Sequence, residues 1–563
     1  MTRLATIQPV AGTHNIDTDR VDVPFSWDFV KDKFNRRLDG KTNMAYECVD
    51  RHVEEGRGEK TALHYIDDSE EYRISYEELK ESTDEWAAVL KKHGVKKGDF
   101  VFVFLPKHPH CHIAMLAAIK LGAIVGPLFE AFMSDAVRDR IADCEGTFLI
   151  TDRDLYKRVP RQELPSLHTV FLTDGEGENG EISLLDELKN VDNTDCLIEW
   201  VDPEHGLNIH YTSGSTGKPK GIIHAHRAMG QQYLTGRWVL DITEDDVYWC
   251  TAHPGWVTGT VYGVFAPLLN GATIVVHGGR FKAETWYETL QKTGVTVWYS
   301  APTAFRMMMA KGNQLPEEYD LSNLRHILSV GEPLNPEVIY WGKNILGKRI
   351  HDTWWMTETG AQLIVNLPTE PIKPGSMGKA FPGISVSVLD EDGKELPPYS
   401  VGHLAIKAPW PAIMREVWQN PEKYNSYFSW GEWYVSGDLA YQDEDGYIFF
   451  QGRSDDMINS SGERIGPFEV ESKLIEHKAV AEAGVIGKPD PIRGEIVKAF
   501  IVLKEGYTPS SELLEEIRIF VRGELAAHAA PREIEVVEEL PKTKISGKIL
   551  RRELKARELQ KLA

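Results

Sequence analysis

Residues 100–151 read FVFVFLPKHPHCHIAMLAAIKLGAIVGPLFEAFMSDAVRDRIADCEGTFLIT, and this stretch decides the fold. Phe100 to Leu105 is a continuous apolar run of strand length, and His112 to Leu121 carries apolar residues at helical spacing. Ala123 to Leu128 reads as strand again, Ser134 to Cys144 as a helix with Ser134 as its N-cap, and Gly146 to Thr151 as a further strand. Strands apolar on both faces and separated by helices imply an α/β fold with a mostly parallel sheet.

The alternation resumes at Leu207 to Thr212, Val247 to Thr251, Ala272 to His277, Thr296 to Ser300 and His326 to Val330. Beyond Gly375 the texture changes. Short strands at Ser385 to Leu389, Gly402 to Lys407 and Gly446 to Gln451, separated by Gly and Pro turns, indicate a small β-rich subdomain. A polar, glycine-rich break at Gly452 to Gly466 then precedes a domain-sized stretch with its own helix–strand pattern. The expected division is 1–454, a large α/β body with the β-rich subdomain, and 455–563, a smaller α+β domain.

The chain has 563 residues, enough for several domains, and 42% hydrophobic content supplies ample core. Lys and Arg number 63 against 85 Asp and Glu, a net charge of −22, which argues against nucleic acid as a partner. Five scattered cysteines (Cys48, Cys111, Cys144, Cys196, Cys250) without a C-x-x-C favour a reducing compartment. Met1 to Arg20 shows no apolar h-region. The longest apolar stretch, Ile113 to Phe129, is interrupted by Lys120, Gly122, Gly126 and Pro127, so neither a signal peptide nor a membrane span is read. The expectation is a cytoplasmic protein without a membrane partner.

Three segments could carry chemistry. Tyr211 to Gly221 (YTSGSTGKPKG) places glycines, hydroxyls and two lysines after an apolar strand, a combination suited to a polyphosphate. It is not a Walker A loop, because Thr212 stands where glycine is needed and Pro219 where the magnesium-binding Ser/Thr belongs. Asp352 to Gly360 (DTWWMTETG) sets bulky apolar walls beside a carboxylate and hydroxyls, as a small acyl pocket next to Mg-ATP requires. Pro541 to Lys548 (PKTKISGK) carries a lysine at the tip of a Gly/Ser loop. Taken singly, phosphate binding outweighs a surface turn for the first, a core Trp pair balances the pocket reading of the second, and a solvated basic tail outweighs a functional reading of the third. His108, His110, Cys111 and His112 have metal-ligand residue types, but Pro109 suits a helix start. The Lys/Arg-rich run from Lys548 to Lys561 reads as a solvated amphipathic helix.

In combination and in this order, YTSGSTGKPKG, WWMTETG, Ser436-Gly437-Asp438, GRSDDMINSSGERIG and SGK resemble the ANL superfamily of adenylate-forming enzymes, from about Tyr46 to the C-terminus. That superfamily includes acyl-CoA synthetases, luciferases and nonribosomal-peptide adenylation domains. Gly255 to Gly259 (GWVTG), Ser329 to Pro333 (SVGEP) and the Trp354-Trp355 pair are similar to its AMP-forming acetyl-CoA synthetase family; fatty-acyl relatives usually carry Tyr-Gly at the pair.

The resemblance implies roles residue by residue. Ser213, Gly214, Ser215, Thr216, Gly217 and Lys218, with Thr212 and Lys220, would hold the polyphosphate. Gly331, Glu332 and Pro333 would line the adenine, and Asp352, Thr353, Trp354, Trp355, Met356 and Thr357 would wrap the nucleotide. Asp438 would take the ribose hydroxyls, a natural acceptor for two donors, and Arg453 and Arg464 would contact ribose and phosphate. Glu358 would hold the ATP-bound Mg2+, and a second cation would sit on backbone oxygens of Ile475, His477 and Val480. Lys548 would neutralise charge during adenylation. Asp455 would be the hinge of a mobile C-terminal domain, and Ser461, Gly462 and Arg522 would contact coenzyme A. Trp256, Val257, Thr258, Val330 and Trp355 would form the acyl pocket, whose indole leaves room for a C2 or C3 acid; each methylene that fails to fit costs about 1–3 kcal/mol.

Two departures stand out: Lys544-Ile545 lengthens the usual P-K-T-x-S-G-K by one residue, and Glu463 stands where relatives often have His or Tyr. The expected activity is acetate + ATP + CoA giving acetyl-CoA + AMP + PPi through an acetyl-adenylate. Propionate or another small acid is the alternative substrate. A nucleotide-binding protein without ligase chemistry and a P-loop kinase are alternatives of other classes. A lysine acetyltransferase and deacetylase acting on Lys548 are expected regulatory partners, and a homo-oligomer stays open.

Overall fold

The computed structural model describes residues 5–10, 12, 14–21, 25–34, 37, 39–177, 180–191, 197–213, 219–454, 456–460, 463–491, 493–525, 529–542 and 549–562. Two large sheets form the body, where the periodicity suggested one. In the first, Gly206–Ser213, Ile124–Pro127, Phe100–Phe104, Phe148–Thr151, Thr169–Leu172 and Ile182–Ser183 lie side by side in that order, all parallel. Pro219–Ala225 closes one side as an antiparallel hairpin on Gly206–Ser213, and Glu416–Val417 pairs beyond it. In the second, Ile350–Trp354, His326–Ser329, Val297–Ser300, Val247–Cys250, Thr273–His277 and Thr61–Ile66 are parallel, with short antiparallel strands at both edges.

Helix Pro109–Lys120 explains the unusually apolar run. Its side chains share one core cluster with strands of both sheets, among them Val101, Val103, Ile274 and Val297, so nearly every position is buried rather than one stripe. Even Lys120 is enclosed, its ammonium 3.0 Å from Asp50 and 2.5 Å from Asp84; a buried cation persists only with such partners. His108 caps this helix, its ring accepting from the His110 amide at 3.1 Å, with Pro109 in the first turn. The helix after Met133 corrects one expectation: Met133, not Ser134, is the residue with extended backbone that precedes Ser134–Asp143.

Val386–Leu389, Gly402–Lys407, Trp433–Gln442 and Ile448–Arg453 form a four-stranded antiparallel sheet. Further along, Glu463–Ile465, Ile458–Ser460, Gly494–Leu503 and Val480–Asp490 form another sheet, with Glu533–Val536 parallel to Gly494–Leu503. Helices Pro467–Glu476 and Ser511–Glu524 pack on it around a separate core that includes Ile458, Leu474, Val497 and Ile517. Asp455, the expected boundary, lies outside the described residues. The C-terminal part rests on the body through an Asn335–Ser472 hydrogen bond of 3.0 Å and the Phe450–Phe468 ring pair. The basic C-terminal helix Arg551–Leu562 is not wholly solvated: Arg551 is held by Glu471 at 2.6 Å and Asp456 at 3.3 Å. No helix among the described residues is long and apolar enough to cross a membrane.

Candidate active site

A cleft of about 1590 Å³ lies between the body and the C-terminal domain. Its floor is made where strands of the second sheet end. Asp352, Thr353 and Trp354 come from Ile350–Trp354, and Trp355, Met356, Thr357 and Glu358 continue from it along the cleft. Gly331, Glu332 and Pro333 follow the neighbouring strand His326–Ser329 and line the same space. Gly331 has φ +89°, the left-handed region that favours glycine. Burial holds the Asp352 carboxyl well above the usual range.

Asp438 is anchored from both oxygens. One oxygen accepts from Trp354 Nε1 at 2.8 Å and the other from Arg453 Nη1 at 2.8 Å, while its amide donates to Ser436 Oγ at 3.0 Å. Asp438 and Arg453 are register partners on adjacent strands. Gly437, at φ +78°, lets the guanidinium pass: a Cβ there would lie 3.0 Å from Arg453 Nη2.

The segment Met356 to Gly360 is pinned from outside. His224 Nε2 lies 2.7 Å from the Thr357 carbonyl, Gln232 donates to the Gly360 carbonyl and Trp410 Nε1 to the Thr359 carbonyl. Glu358 is buried, and its Oε1 accepts from the Tyr427 hydroxyl at 2.9 Å. Thr212 and Lys220 face each other across the hairpin Gly206–Ser213/Pro219–Ala225 and line the cleft beside Glu358. The glycine-rich segment therefore joins two antiparallel strands, whereas a P-loop leads from strand to helix.

A magnesium ion fits this corner. Hard oxygen donors are what it takes, usually one or two carboxylates with phosphate and water, and Glu358 and the Thr212 hydroxyl supply that chemistry. The residues expected around a second cation, Ile475, His477 and Val480, lie where helix Pro467–Glu476 gives way to strand Val480–Asp490, and the His477 carbonyl accepts from the Val480 amide at 3.0 Å.

Val257, Thr258, Val330 and Trp355 line one end of the cleft. The Trp355 indole is buried and meets Tyr262 edge-on, ring centroids 5.1 Å apart. Tyr262 is fixed in turn by Thr235 and by the Gln362 amide. Trp256 does not join this wall. It occupies the extended N-cap position of Val257–Thr260, and its ring lies exposed against Phe129 and Phe132 instead.

Several expected residues cannot be placed. Gly214, Ser215, Thr216, Gly217, Lys218, Asp455, Ser461, Gly462 and Lys548 lie outside the described residues, as do the side chains of Ser213 and Arg464. The stem of the Lys548 loop is described. Lys542 and Ile549 pair across it, the Leu550 amide donates to the Pro541 carbonyl at 2.8 Å, and Lys542, Ile549 and Leu550 line the cleft. Arg522 sits exposed on Ser511–Glu524 and is not part of the cleft lining.

Other residues contribute that the motif reading missed. Thr303 Oγ1 and Arg306 Nη2 hold the Glu332 carboxylate at 2.7 and 2.8 Å, and Arg306 Nη1 reaches Asn335, the residue bonded to Ser472. Lys423, Arg551 and Lys555 also line the cleft. Only Lys423 had a local signal, the Asn420-Pro421 helix start that fixes its backbone.

A cleft between a large α/β body and a small domain, lined by Thr212 and Lys220 from the two strands that flank a glycine- and hydroxyl-rich sequence, defines the class. The chain belongs to the AMP-binding enzyme family of adenylate-forming proteins: residues 49–418 match that family and residues 469–548 its AMP-binding enzyme C-terminal domain. It is 57% identical to the acetyl-coenzyme A synthetase of Bacillus subtilis (strain 168), over 99% of this chain and 98% of that protein. It is 41% identical to the acetyl-coenzyme A synthetase of Methanothrix thermoacetophila, over 93% of this chain and 84% of that one. Among solved structures it is similar to an anthranilate CoA ligase in complex with anthranoyl-AMP, with TM-score 0.85, 30% identity and 93% and 98% of the two chains covered. A Brucella canis acyl-CoA synthetase matches with TM-score 0.75 and 35% identity over 97% and 99%.

Proposed function

We propose that the chain is an AMP-forming acetate–CoA ligase. The observation that carries the acid's identity is Trp355, whose buried indole, braced by Tyr262, closes the end of the cleft lined by Val257, Thr258 and Val330. An acetate methyl fits such a wall; each further methylene meets the ring. The 57% identity to a protein named acetyl-coenzyme A synthetase supports the same reading.

In the first half-reaction an acetate oxygen attacks the α-phosphorus of ATP. The bond from that phosphorus to the bridging oxygen breaks, and pyrophosphate leaves. Asp438, already oriented by Trp354 and Arg453, receives the ribose hydroxyls. Thr212 and Lys220, with the loop between them, face the phosphates. Magnesium, held by Glu358 when bound, offsets polyphosphate charge. Lys548 would bring a further positive charge to the meeting of two anions, and the cleft-facing stem of its loop fits the orientation for this half. In the second half the CoA thiol attacks the acyl carbon, AMP leaves and the thiol proton passes to solvent. That step needs Lys548 withdrawn, which a swing of the C-terminal domain about Asp455 would accomplish. Ser461, Gly462 and Arg522 would then meet CoA; the exposure of Arg522 here agrees with its being idle in this orientation.

Product analysis tests the reading. Acetate, ATP and CoA should give acetyl-CoA, AMP and pyrophosphate in equal amounts, and acetate-dependent ATP–pyrophosphate exchange should persist without CoA. ADP as product, or nucleotide binding without turnover, would overturn it. Acetylating Lys548 removes its charge and should abolish the first half-reaction while sparing thioester formation from acetyl-AMP; equal loss of both halves would contradict its role.

A further inference from the structure

Two lysines, Lys220 and Lys423, line the cleft together with Glu358, Thr212 and Tyr427. Neither has an ion-pair partner among the described residues. Burial chiefly lowers the Lys220 pKa, with a smaller push in the same direction from the Lys423 charge, and Glu358 opposes both. Glu358 does not form an ion pair with either lysine; it accepts instead from the Tyr427 hydroxyl at 2.9 Å. The ring of that same tyrosine carries the Lys423 ammonium 4.3 Å above its centroid. Asn420 fixes the backbone beneath, its side chain accepting from the Lys423 amide at 2.9 Å.

Like charges held together are unfavourable unless a ligand of opposite sign resides between them. In a chain of net charge −22, carboxylates are plentiful, yet none pairs with these two among the described residues. We propose that Lys423 is a pyrophosphate-binding residue: with Lys220 it grips the terminal phosphates of ATP and stabilises the pyrophosphate as it departs. Tyr427 serves it twice, as a platform for the cation and as the donor that orients Glu358. This assignment rests on the adenylating activity proposed above and adds a residue to its phosphate site.

Direct binding tests it. Affinity of the full-length protein for inorganic pyrophosphate with magnesium, and separately for AMP, is measured by calorimetry on wild type, Lys423→Gln and Lys423→Arg. Loss of one charge-assisted contact should weaken pyrophosphate about 10-fold in Lys423→Gln, leave AMP within about twofold, and be largely restored in Lys423→Arg. Thioester formation from acetyl-AMP and CoA should be unchanged in both variants. Equal weakening of AMP and pyrophosphate would mean a structural role and overturn the assignment. So would unaltered pyrophosphate affinity in Lys423→Gln, or a wild type that binds no pyrophosphate. The binding measurement contains no acid, so its outcome is independent of which acid is ligated; product analysis reports on that separately.

Discussion

The two ends of the cleft are built on opposite plans. At the ribose end the acid is already satisfied: Asp438 accepts from Trp354 and Arg453, and its neighbours are strand residues in register. At the other end Lys220 and Lys423 both line the cleft, with no ion-pair partner among the described residues. The first end is finished by folding; the second is finished by its ligand. A network closed in the free protein contributes to stability and presents fixed acceptors, whereas an open cluster of cations costs stability until an anion arrives.

Substitutions at the two ends should therefore separate stability from activity. The largest contrast is expected between Lys220→Gln and Asp438→Asn. Lys220→Gln should lower acetate-dependent exchange by about 100-fold through lost charge stabilisation, with an unfolding midpoint equal to or above wild type because a repulsion is relieved. Asp438→Asn should lose activity and also about 1–3 kcal/mol of stability, since it strands the Arg453 charge. Equal destabilisation by the two would erase the distinction; denaturant unfolding of both variants decides. Trp354→Phe sharpens the comparison with a smaller change. Removing one indole N–H should cost about 1 kcal/mol in stability and raise the KM for ATP severalfold, leaving acid preference intact, as steady-state kinetics with varied acid would show.

The smallest effect is expected at the seam between body and C-terminal domain. Burial, together with Glu476 across the interface, raises the Glu337 carboxyl from its ordinary 4.5 to about 7, while Lys473 opposes the shift. Tyr340 on the same helix also faces this pair. The folded protein therefore holds a proton that the unfolded chain releases above about pH 4.5. Its contribution favours the docked state at low pH, is lost as pH rises through about 7 and stays absent above. Glu337→Gln keeps the neutral form at every pH, so its unfolding midpoint should decline less than that of wild type between pH 6 and pH 8. Parallel profiles would show that Glu337 does not titrate there.

What the sequence disclosed follows the same division. Apolar texture located the central strands, such as Phe100–Phe104 and Val297–Ser300, to within a residue or two, because strands buried on both faces read as unbroken runs, but it missed Thr61–Ile66, Thr169–Leu172, Pro219–Ala225 and Ile350–Trp354. It did not show that they sort into two sheets, since either sheet buries the same residue types around Pro109–Lys120. The motif segments Gly331 to Pro333 and Asp352 to Glu358 line one cleft, and each is contiguous in the chain. Contacts assembled from distant segments were invisible: Arg306 on Glu332, His224 on Thr357 and Arg551 on Glu471 each join residues that no spacing rule connects. Trp256 misled because an N-cap residue takes extended backbone, which turned its ring outward although Val257 and Thr258 face the cleft. Arg551 shows the reverse error, a charge in a basic run that is tied down by Glu471 and Asp456.

The most direct test of the account is acid-dependent ATP–pyrophosphate exchange across formate, acetate, propionate, butyrate and hexanoate, on wild type and Trp355→Gly. Wild type should favour acetate, with each methylene beyond the pocket's capacity costing about 10-fold or more, and Trp355→Gly should shift the preference toward butyrate or hexanoate. A wild type that prefers butyrate, or a glycine variant with an unchanged acid profile, would contradict the claim that the Trp355 indole sets the substrate.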